Sequence, residues 1–257
     1  MSRKHILERN FSRHAGRYDA HTAAQQTIAA GLLARLEPGP FASILDIGCG
    51  TGHYTRLLHE KHPAARITAI DLSPAMIEKA RENLPADAVE FHVADAETAE
   101  FETSFDLITS NACFHWFADL DRTIARCAAA LTENGLLAFS TLGPRTYREL
   151  GACLDAVLGP GTPISARSFP NQVELESILR RHFPIASVDV ELMVEEYPSL
   201  RHLLNTIKYA GTRGRGLEGV TMTKTLLHDL EDTYRAHVGS IAATYEVFYC
   251  LARKREV

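Results

Sequence analysis

No stretch of the 257 residues is apolar for about 18 positions, the length a membrane-crossing helix needs, so no span and no membrane partner are expected. Cysteine is sparse. Cys49, Cys113, Cys127, Cys153 and Cys250 are odd in number, scattered and without a C-x-x-C pair. That excludes a dithiol redox motif and reads as buried thiols in a reducing cytoplasm. Metal spacing is absent too: His59-Glu-Lys-His62 falls one residue short of H-E-x-x-H, so no metal is expected. Nor is there a basic excess. A net charge of −5 argues against a general nucleic-acid partner. The opening Met-Ser-Arg-Lys-His-Ile-Leu-Glu carries charge but no apolar core of signal-peptide length. What remains is ordinary globular composition, 46% hydrophobic and 23% charged, enough for one large core and a single domain over residues 1–257.

The most informative segment is Ile44-Leu-Asp-Ile-Gly-Cys-Gly-Thr-Gly52. Ile44, Leu45 and Ile47 form a buried-strand run. Gly48, Gly50 and Gly52, with Cys49 between the first two, then let a ligand lie against bare backbone. Asp46 stands two residues ahead of the first glycine. A dinucleotide fingerprint would need a third glycine at 53, where the chain has His53, and pyrophosphate repels a carboxylate. A ligand bearing an ammonium and a sulfonium but no phosphate fits, which is S-adenosylmethionine. The segment resembles the first motif of the class I S-adenosylmethionine-dependent methyltransferases.

Strands and helices then alternate. Arg66–Asp71, Val89–Val93, Phe105–Asn111 and Leu136–Thr141 read as strands. Ser73 caps a helix with Pro74 at its first position, and Leu120–Leu131 reads as an amphipathic helix closed by Asn134-Gly135. Upstream, Thr22–Leu36 is helical, preceded by a polar arm (1–21) containing Phe11, Tyr18 and Asp19. Downstream of a core over about 22–142, helices are expected at Tyr147–Leu158, Glu174–His182, Leu200–Ala210 and Thr223–Val238, with strands at Ser187–Glu195 and Thr244–Leu251. The fold class is α/β: a Rossmann-like, seven-stranded, mostly parallel sheet with helices on both faces. The last two strands bracket a helical insertion at about 199–243 that caps the ligand edge. The resemblance implies that the last strand enters antiparallel.

Ligands of open α/β sheets bind beyond the carboxyl ends of the strands. Asp46 ends the first, and Asp71 ends the second, where an acid accepts from both ribose hydroxyls. Asp95, followed by Ala96, ends the third, where a carboxylate can meet the adenine amino group. Asn111 ends the fourth, near the methyl donor. Leu72 and Met76 are placed to sandwich adenine, or are core residues of their helix. In Asn111-Ala-Cys-Phe-His-Trp116-Phe, Trp116 is either the wall of a substrate pocket or core, and His115 either a ligand contact or a satisfied histidine. Tyr18 and Asp19 belong to a flap over the cofactor or to a structural arm. Lys208, Arg213 and Arg215 lie at and after a helix end, where an anion site and ordinary dipole pairing compete. Arg145 follows the fifth strand.

Longer segments resemble the malonyl-[acyl carrier protein] O-methyltransferase family of biotin synthesis. They are Phe11-Ser-Arg-His-Ala-Gly-Arg-Tyr18-Asp19, Phe139–Leu150, Leu203-Leu-Asn-Thr-Ile-Lys208-Tyr-Ala-Gly-Thr212 and Thr244–Tyr249. Arg145, where a small residue is expected, and Arg213-Gly-Arg-Gly216 depart from the family pattern. The resemblance implies methyl transfer from S-adenosylmethionine to the free carboxylate of a malonyl thioester on acyl carrier protein or CoA. No catalytic base is required. Tyr18, Lys208 and Arg145 are the positioning candidates. Trp116, Thr212 and Arg213 join Lys208 and Arg145 around the acceptor, and Arg213, Arg215, Arg180 and Arg181 are candidates for carrier docking. The alternatives are a small-acid methyltransferase of the trans-aconitate type and a C-methyltransferase acting on a quinone or sterol-like acceptor.

Overall fold

Ile44 and Leu45 are fully shielded from solvent because the strand they form is covered on both faces. A computed structural model describes residues 3–36, 39–85, 89–101, 103–209 and 222–254. Its strands are β1 (Ser43–Ile47), β2 (Arg66–Asp71), β3 (Val89–Val93), β4 (Phe105–Ser110), β5 (Leu131–Leu142), β6 (Ile185–Glu196) and β7 (Ala242–Arg253). They form one sheet in the order β3-β2-β1-β4-β5-β7-β6. β1 to β5 run parallel, and β7 is antiparallel to both of its neighbours. The strand order reverses between β1 and β4, which opens a crevice at their carboxyl ends.

The described helices are α1 (Arg3–His14), α2 (Ala23–Arg35), α3 (His53–Lys61), α4 (Pro74–Asn83), α5 (Leu120–Ala130), α6 (Arg148–Leu158), α7 (Gln172–His182), α8 (Leu200–Tyr209) and α9 (Lys224–Val238). One core layer takes Ile28 and Leu32 of α2, Leu58 of α3, Ile77 of α4, Leu154 of α6 and Tyr234 of α9. The opposite layer takes Ile124 of α5 and Leu175 and Leu179 of α7 against Leu45, Ile108 and Phe139. Between β6 and β7 lie α8 and α9.

One local expectation is corrected. Asn134-Gly135 does not close α5. The chain turns extended at Leu131, the helix's C-cap (φ −83°, ψ 145°), and both residues lie inside β5. Leu131 is recruited opposite Phe105, so burial outweighs the turn preference of Asn-Gly. A side chain at Gly135 would come within 3.0 Å of the Leu131 Cβ, so this glycine permits close packing. The N-terminal arm is ordered as α1 and two 3-10 turns, Ala15–Arg17 and Asp19–His21. Among the described side chains of α1 only Leu7 is buried, which leaves little apolar periodicity for sequence to reveal. Other element ends move by one to five residues, the largest shift being the earlier start of β5 at Leu131.

Candidate active site

The loop after β1 turns through three left-handed glycines, Gly48 (φ +71°), Gly50 (φ +55°) and Gly52 (φ +86°). A side chain at Gly48 would meet the Cys113 sulfur at 2.4 Å, and one at Gly52 would meet Leu84 at 2.6 Å. Gly52 therefore seats the loop on the end of α4 and does not line the crevice. The loop is tied to β2 as well. Gly50 N donates to Asp71 Oδ2 at 3.0 Å and Ser73 N to Asp71 Oδ1 at 2.8 Å. Burial pushes the Asp71 pKa up, opposed by these two hydrogen bonds.

The crevice is lined from the strand ends by Gly48, Gly50, Asp71, Leu72, Asp95, Ala96, Asn111, His115 and Trp116, and by Met76 of α4. α1 lies across it through Lys4, Leu7 and Phe11, followed by Tyr18, leaving about 100 Å³ free. At one end Lys4 Nζ donates to Asp95 Oδ2 at 2.6 Å and pairs with Glu97 at 2.9 Å. Burial lowers the Lys4 pKa, but its two carboxylate partners outweigh that and raise it. Ser12 and Ser73 hydroxyls lie 2.8 Å apart, and the Thr51 hydroxyl donates to Asp19, so the N-terminal segment is anchored along the crevice. Burial, with Asp71 nearby, pushes the Tyr18 hydroxyl pKa up, so it stays protonated at neutral pH.

At the other end Asp46 is fully buried. Its Oδ2 accepts from the Thr55 hydroxyl at 2.6 Å, while its Oδ1 has no hydrogen-bond partner. Gln25 Oε1 of α2 is also buried and unpartnered. Both residues line one small recess beside the glycine loop, together with Tyr18, Cys49 and Asn111. Burial pushes the Asp46 pKa up to about 7, with Thr55 opposing and Asp71 reinforcing. Asn111 is held on both sides. Its Nδ2 donates to Gln25 O at 3.0 Å, and its Oδ1 accepts from Ser140 at 2.8 Å. The His115 Nδ1 lies 3.4 Å from both Thr141 Oγ1 and Leu142 N.

His115 and Trp116 form one side of an aromatic wall. Phe169 lies 4.6 Å from the His115 ring and 5.8 Å from Trp116, ring centre to ring centre. Beyond Phe169 is a second cavity of about 240 Å³, formed with α6, α8 and α9. Lys208 lines it, and so do Arg201 and Lys224, with no acidic residue among the described residues of the lining. Arg145 does not line either cavity. Its Nε pairs with the buried Glu246 at 2.6 Å, and its backbone N donates to the same carboxylate at 2.8 Å. A buried carboxylate thus holds this guanidinium through its Nε. Thr212, Arg213 and Arg215 lie outside the described residues. Arg180 and Arg181 pair with Glu176 and Asp121.

Lys4, Gln25, Phe169, Arg201 and Lys224 were not foreseen as site residues. Gln25 carried a signal: with Ile28, Ala29 and Leu32 it occupies the i, i+3, i+4, i+7 face that α2 buries, a polar residue on an apolar stripe. Lys4 carried none, because its partner is 91 residues away.

Two unpartnered buried acceptors, Asp46 Oδ1 and Gln25 Oε1, call for a cationic donor. The crevice lining adds the carboxylates of Asp71, Asp95 and Glu97 against one lysine, which disfavours a phosphate. Bare glycine backbone borders the recess. These residues fit S-adenosylmethionine, with its ammonium and sulfonium. Among the described residues, no cluster of His, Cys, Asp or Glu could hold a metal, and no helix is long and apolar enough to cross a membrane.

Residues 44–135 match the family model described as "Methyltransferase domain". The fold is similar to that of the YcgJ protein of Bacillus subtilis (TM-score 0.61, 16% identity, 90% of this chain and 99% of that one). It is similar also to phosphoethanolamine N-methyltransferase 2 of Haemonchus contortus, solved with S-adenosylhomocysteine (TM-score 0.62, 19% identity, 99% of this chain and 61% of that one). Fold and crevice together define a class I S-adenosylmethionine-dependent methyltransferase. Along almost its whole length the chain is 34% identical to the malonyl-[acyl-carrier protein] O-methyltransferase of Acetivibrio thermocellus (99% of this chain, 95% of the relative). It is 33% identical to that of Anoxybacillus flavithermus (97% of each). The chain belongs to the malonyl-[acyl-carrier protein] O-methyltransferase family.

Proposed function

We propose that this enzyme methylates the free carboxylate of a malonyl thioester on acyl carrier protein, in the cytoplasm, giving the ester that enters biotin synthesis. One observation carries the reading. The match to relatives of that name runs over 99% of the chain, through the α8–α9 cap as well as the cofactor crevice.

When bound, S-adenosylmethionine supplies an activated methyl group on a sulfonium. Asp46 and Gln25 would accept from its ammonium, Asp71 from the ribose hydroxyls and Asp95 from the adenine amino group. Leu72, Met76 and Ala96 would flank the ring. α1 acts as a lid, since about 100 Å³ is below the several hundred that a ligand of this size occupies. A malonyl carboxylate, with a reference pKa near 4, is already ionised at neutral pH and needs no base. The protein's work is alignment and exclusion of water. Trp116, Phe169 and His115 supply the dry wall, protonated Tyr18 borders the methyl zone, and half-buried Lys208 holds the carboxylate. We assign Arg145 no part in this.

Incubation with labelled S-adenosylmethionine and, side by side, malonyl-carrier, malonyl-CoA and free dicarboxylates tests the reading. Label should enter the malonyl thioesters as a base-labile methyl ester. Preferential labelling of free dicarboxylates would move the chain to the trans-aconitate class.

The raised Asp46 pKa gives a pH signature. Asp46 must be ionised to hold an ammonium. Below its pKa of about 7 the affinity for cofactor should fall about tenfold per pH unit. Above about 7.7–8.0, the range of an α-amino group, the ligand loses its own charge. Calorimetric titration should give a bell with its maximum between these values, and Asp46→Asn should flatten the acid limb. An acid limb identical in both proteins would remove Asp46 from the ammonium site.

A further inference from the structure

At the end of the crevice assigned above to adenine, a side chain of the protein already sits on the carboxylate. Asp95 Oδ1 accepts from Glu97 N at 3.0 Å, and Asp95 Oδ2 accepts from Lys4 Nζ at 2.6 Å. Glu97 is fixed as well. Its Oε1 accepts from Ala118 N and Asp119 N, both at 2.9 Å, and its Oε2 lies 2.9 Å from Lys4 Nζ. Two carboxylates that share one ammonium repel each other, and Lys4 offsets that repulsion. Backbone donors hold both acids in place, whereas Lys4 reaches them on a flexible four-carbon stem and is partly exposed. Lys4 stands on α1, whose Leu7 and Phe11 also line the crevice. Further along, α1 is held by uncharged contacts: the Ser12 and Ser73 hydroxyls at 2.8 Å, and the edge of Phe11 against Trp116, ring centres 6.2 Å apart. The Lys4 pairing is therefore the charged tie between this helix and the strand ends.

We propose that Lys4 stands in for the adenine amino group: its ammonium takes the place on Asp95 Oδ2 that the cofactor's amino group needs, so α1 and the cofactor compete for one carboxylate oxygen. The assignment rests on the reading of Asp95 as the adenine acceptor. Lys4 cedes Oδ2 to the neutral amino group and keeps Glu97, whose other oxygen stays bound to the start of α5. One ion pair is thus exchanged for a neutral donor, and both carboxylates remain paired. Lys4 is a gate on cofactor entry and product release, not a grip on the bound ring.

The test titrates the wild type and Lys4→Met with S-adenosylhomocysteine and with S-inosylhomocysteine. The signal is the fluorescence of Trp116, the single tryptophan of the chain, which lines the crevice. Methionine keeps most of the length of the stem and removes the donor. Lys4→Met should bind S-adenosylhomocysteine about two- to fivefold more tightly, the range of one partly exposed ion pair, and should associate faster in stopped flow. S-inosylhomocysteine carries a carbonyl oxygen in place of the amino group. That oxygen can accept from Lys4 and does not compete with it, so the variant should gain nothing for this ligand. Equal gains for both ligands would mean that Lys4 only pins α1, and would overturn the exchange at Asp95. Weaker binding of S-adenosylhomocysteine by Lys4→Met would make the lysine a clamp on the bound ring and overturn the proposal, as would unchanged binding. If the wild type binds neither ligand, the cofactor reading itself has failed, a result distinct from wild-type binding that Lys4→Met leaves unaltered.

Discussion

Replacing Asp71 by alanine is expected to weaken S-adenosylmethionine binding by at least about a hundredfold. Both carboxylate oxygens are engaged, one by the Gly50 N–H and the other by the Ser73 N–H. The side chain thus holds the glycine loop in its bent form and starts α4, and its remaining lone pairs face the crevice. Alanine leaves the Gly50 N–H without its acceptor and removes the ribose acceptor. Each charge-assisted bond is worth about 1.5–3 kcal/mol, so losing two corresponds to roughly 10²- to 10⁴-fold in affinity. Asp71→Asn separates the two contributions. Its carbonyl can still accept one N–H, but its amide cannot accept the other. It should therefore bind more weakly than wild type and more tightly than alanine. Calorimetric titration gives the affinities, and circular dichroism with thermal melting establishes that the variants fold. Near-normal binding by folded Asp71→Ala would sink the assignment of this crevice to the cofactor.

Most of the sheet and the strand-end acids could be read from the sequence, because each obeys a local rule. β1 is a continuous apolar run, and Ser73-Pro74 begins α4 with the Ser73 hydroxyl accepting from Met76 N. Asp46, Asp71, Asp95 and Asn111 all stand at strand ends. What stayed hidden depends on partners distant in sequence. α1 has almost no apolar stripe and is held by Lys4–Asp95 and Ser12–Ser73, pairings 91 and 61 residues apart. Asn134-Gly135 looked like a helix stop, but burial of Leu131 overrode it. Arg145 looked like a pocket cation until Glu246, 101 residues later, claimed its guanidinium. The cation-lined cavity itself arises only when α6, α8 and α9 come together, and no spacing in one helix announces it.

Lys208→Ala is expected to cut kcat/KM for the malonyl acceptor about 10- to 150-fold while leaving cofactor binding intact. The range corresponds to one hydrogen bond to a charged group, about 1.5–3 kcal/mol. The cavity walls near Lys208 are largely apolar, and burial strengthens a charge pair relative to water. How the loss divides tells what the lysine does. If it binds the carboxylate equally before and during transfer, KM rises and kcat holds. If it aims the oxygen, kcat falls too. Lys208→Arg keeps the charge on a planar, bulkier head and should rescue KM better than kcat. Arg145→Ala is the control that distinguishes this residue from the other cation of the sequence reading. It should lower thermal stability by leaving the buried Glu246 with fewer donors, and leave the acceptor KM near that of wild type. Tyr209 stacks on His21 at 4.5 Å, next to the segment that carries Tyr18. The end of α8 that bears Lys208 is therefore joined to the cofactor side of the molecule, where the carboxylate has to arrive. Unchanged kinetics in Lys208→Ala, with a raised acceptor KM in Arg145→Ala, would reverse the assignment of the two cations.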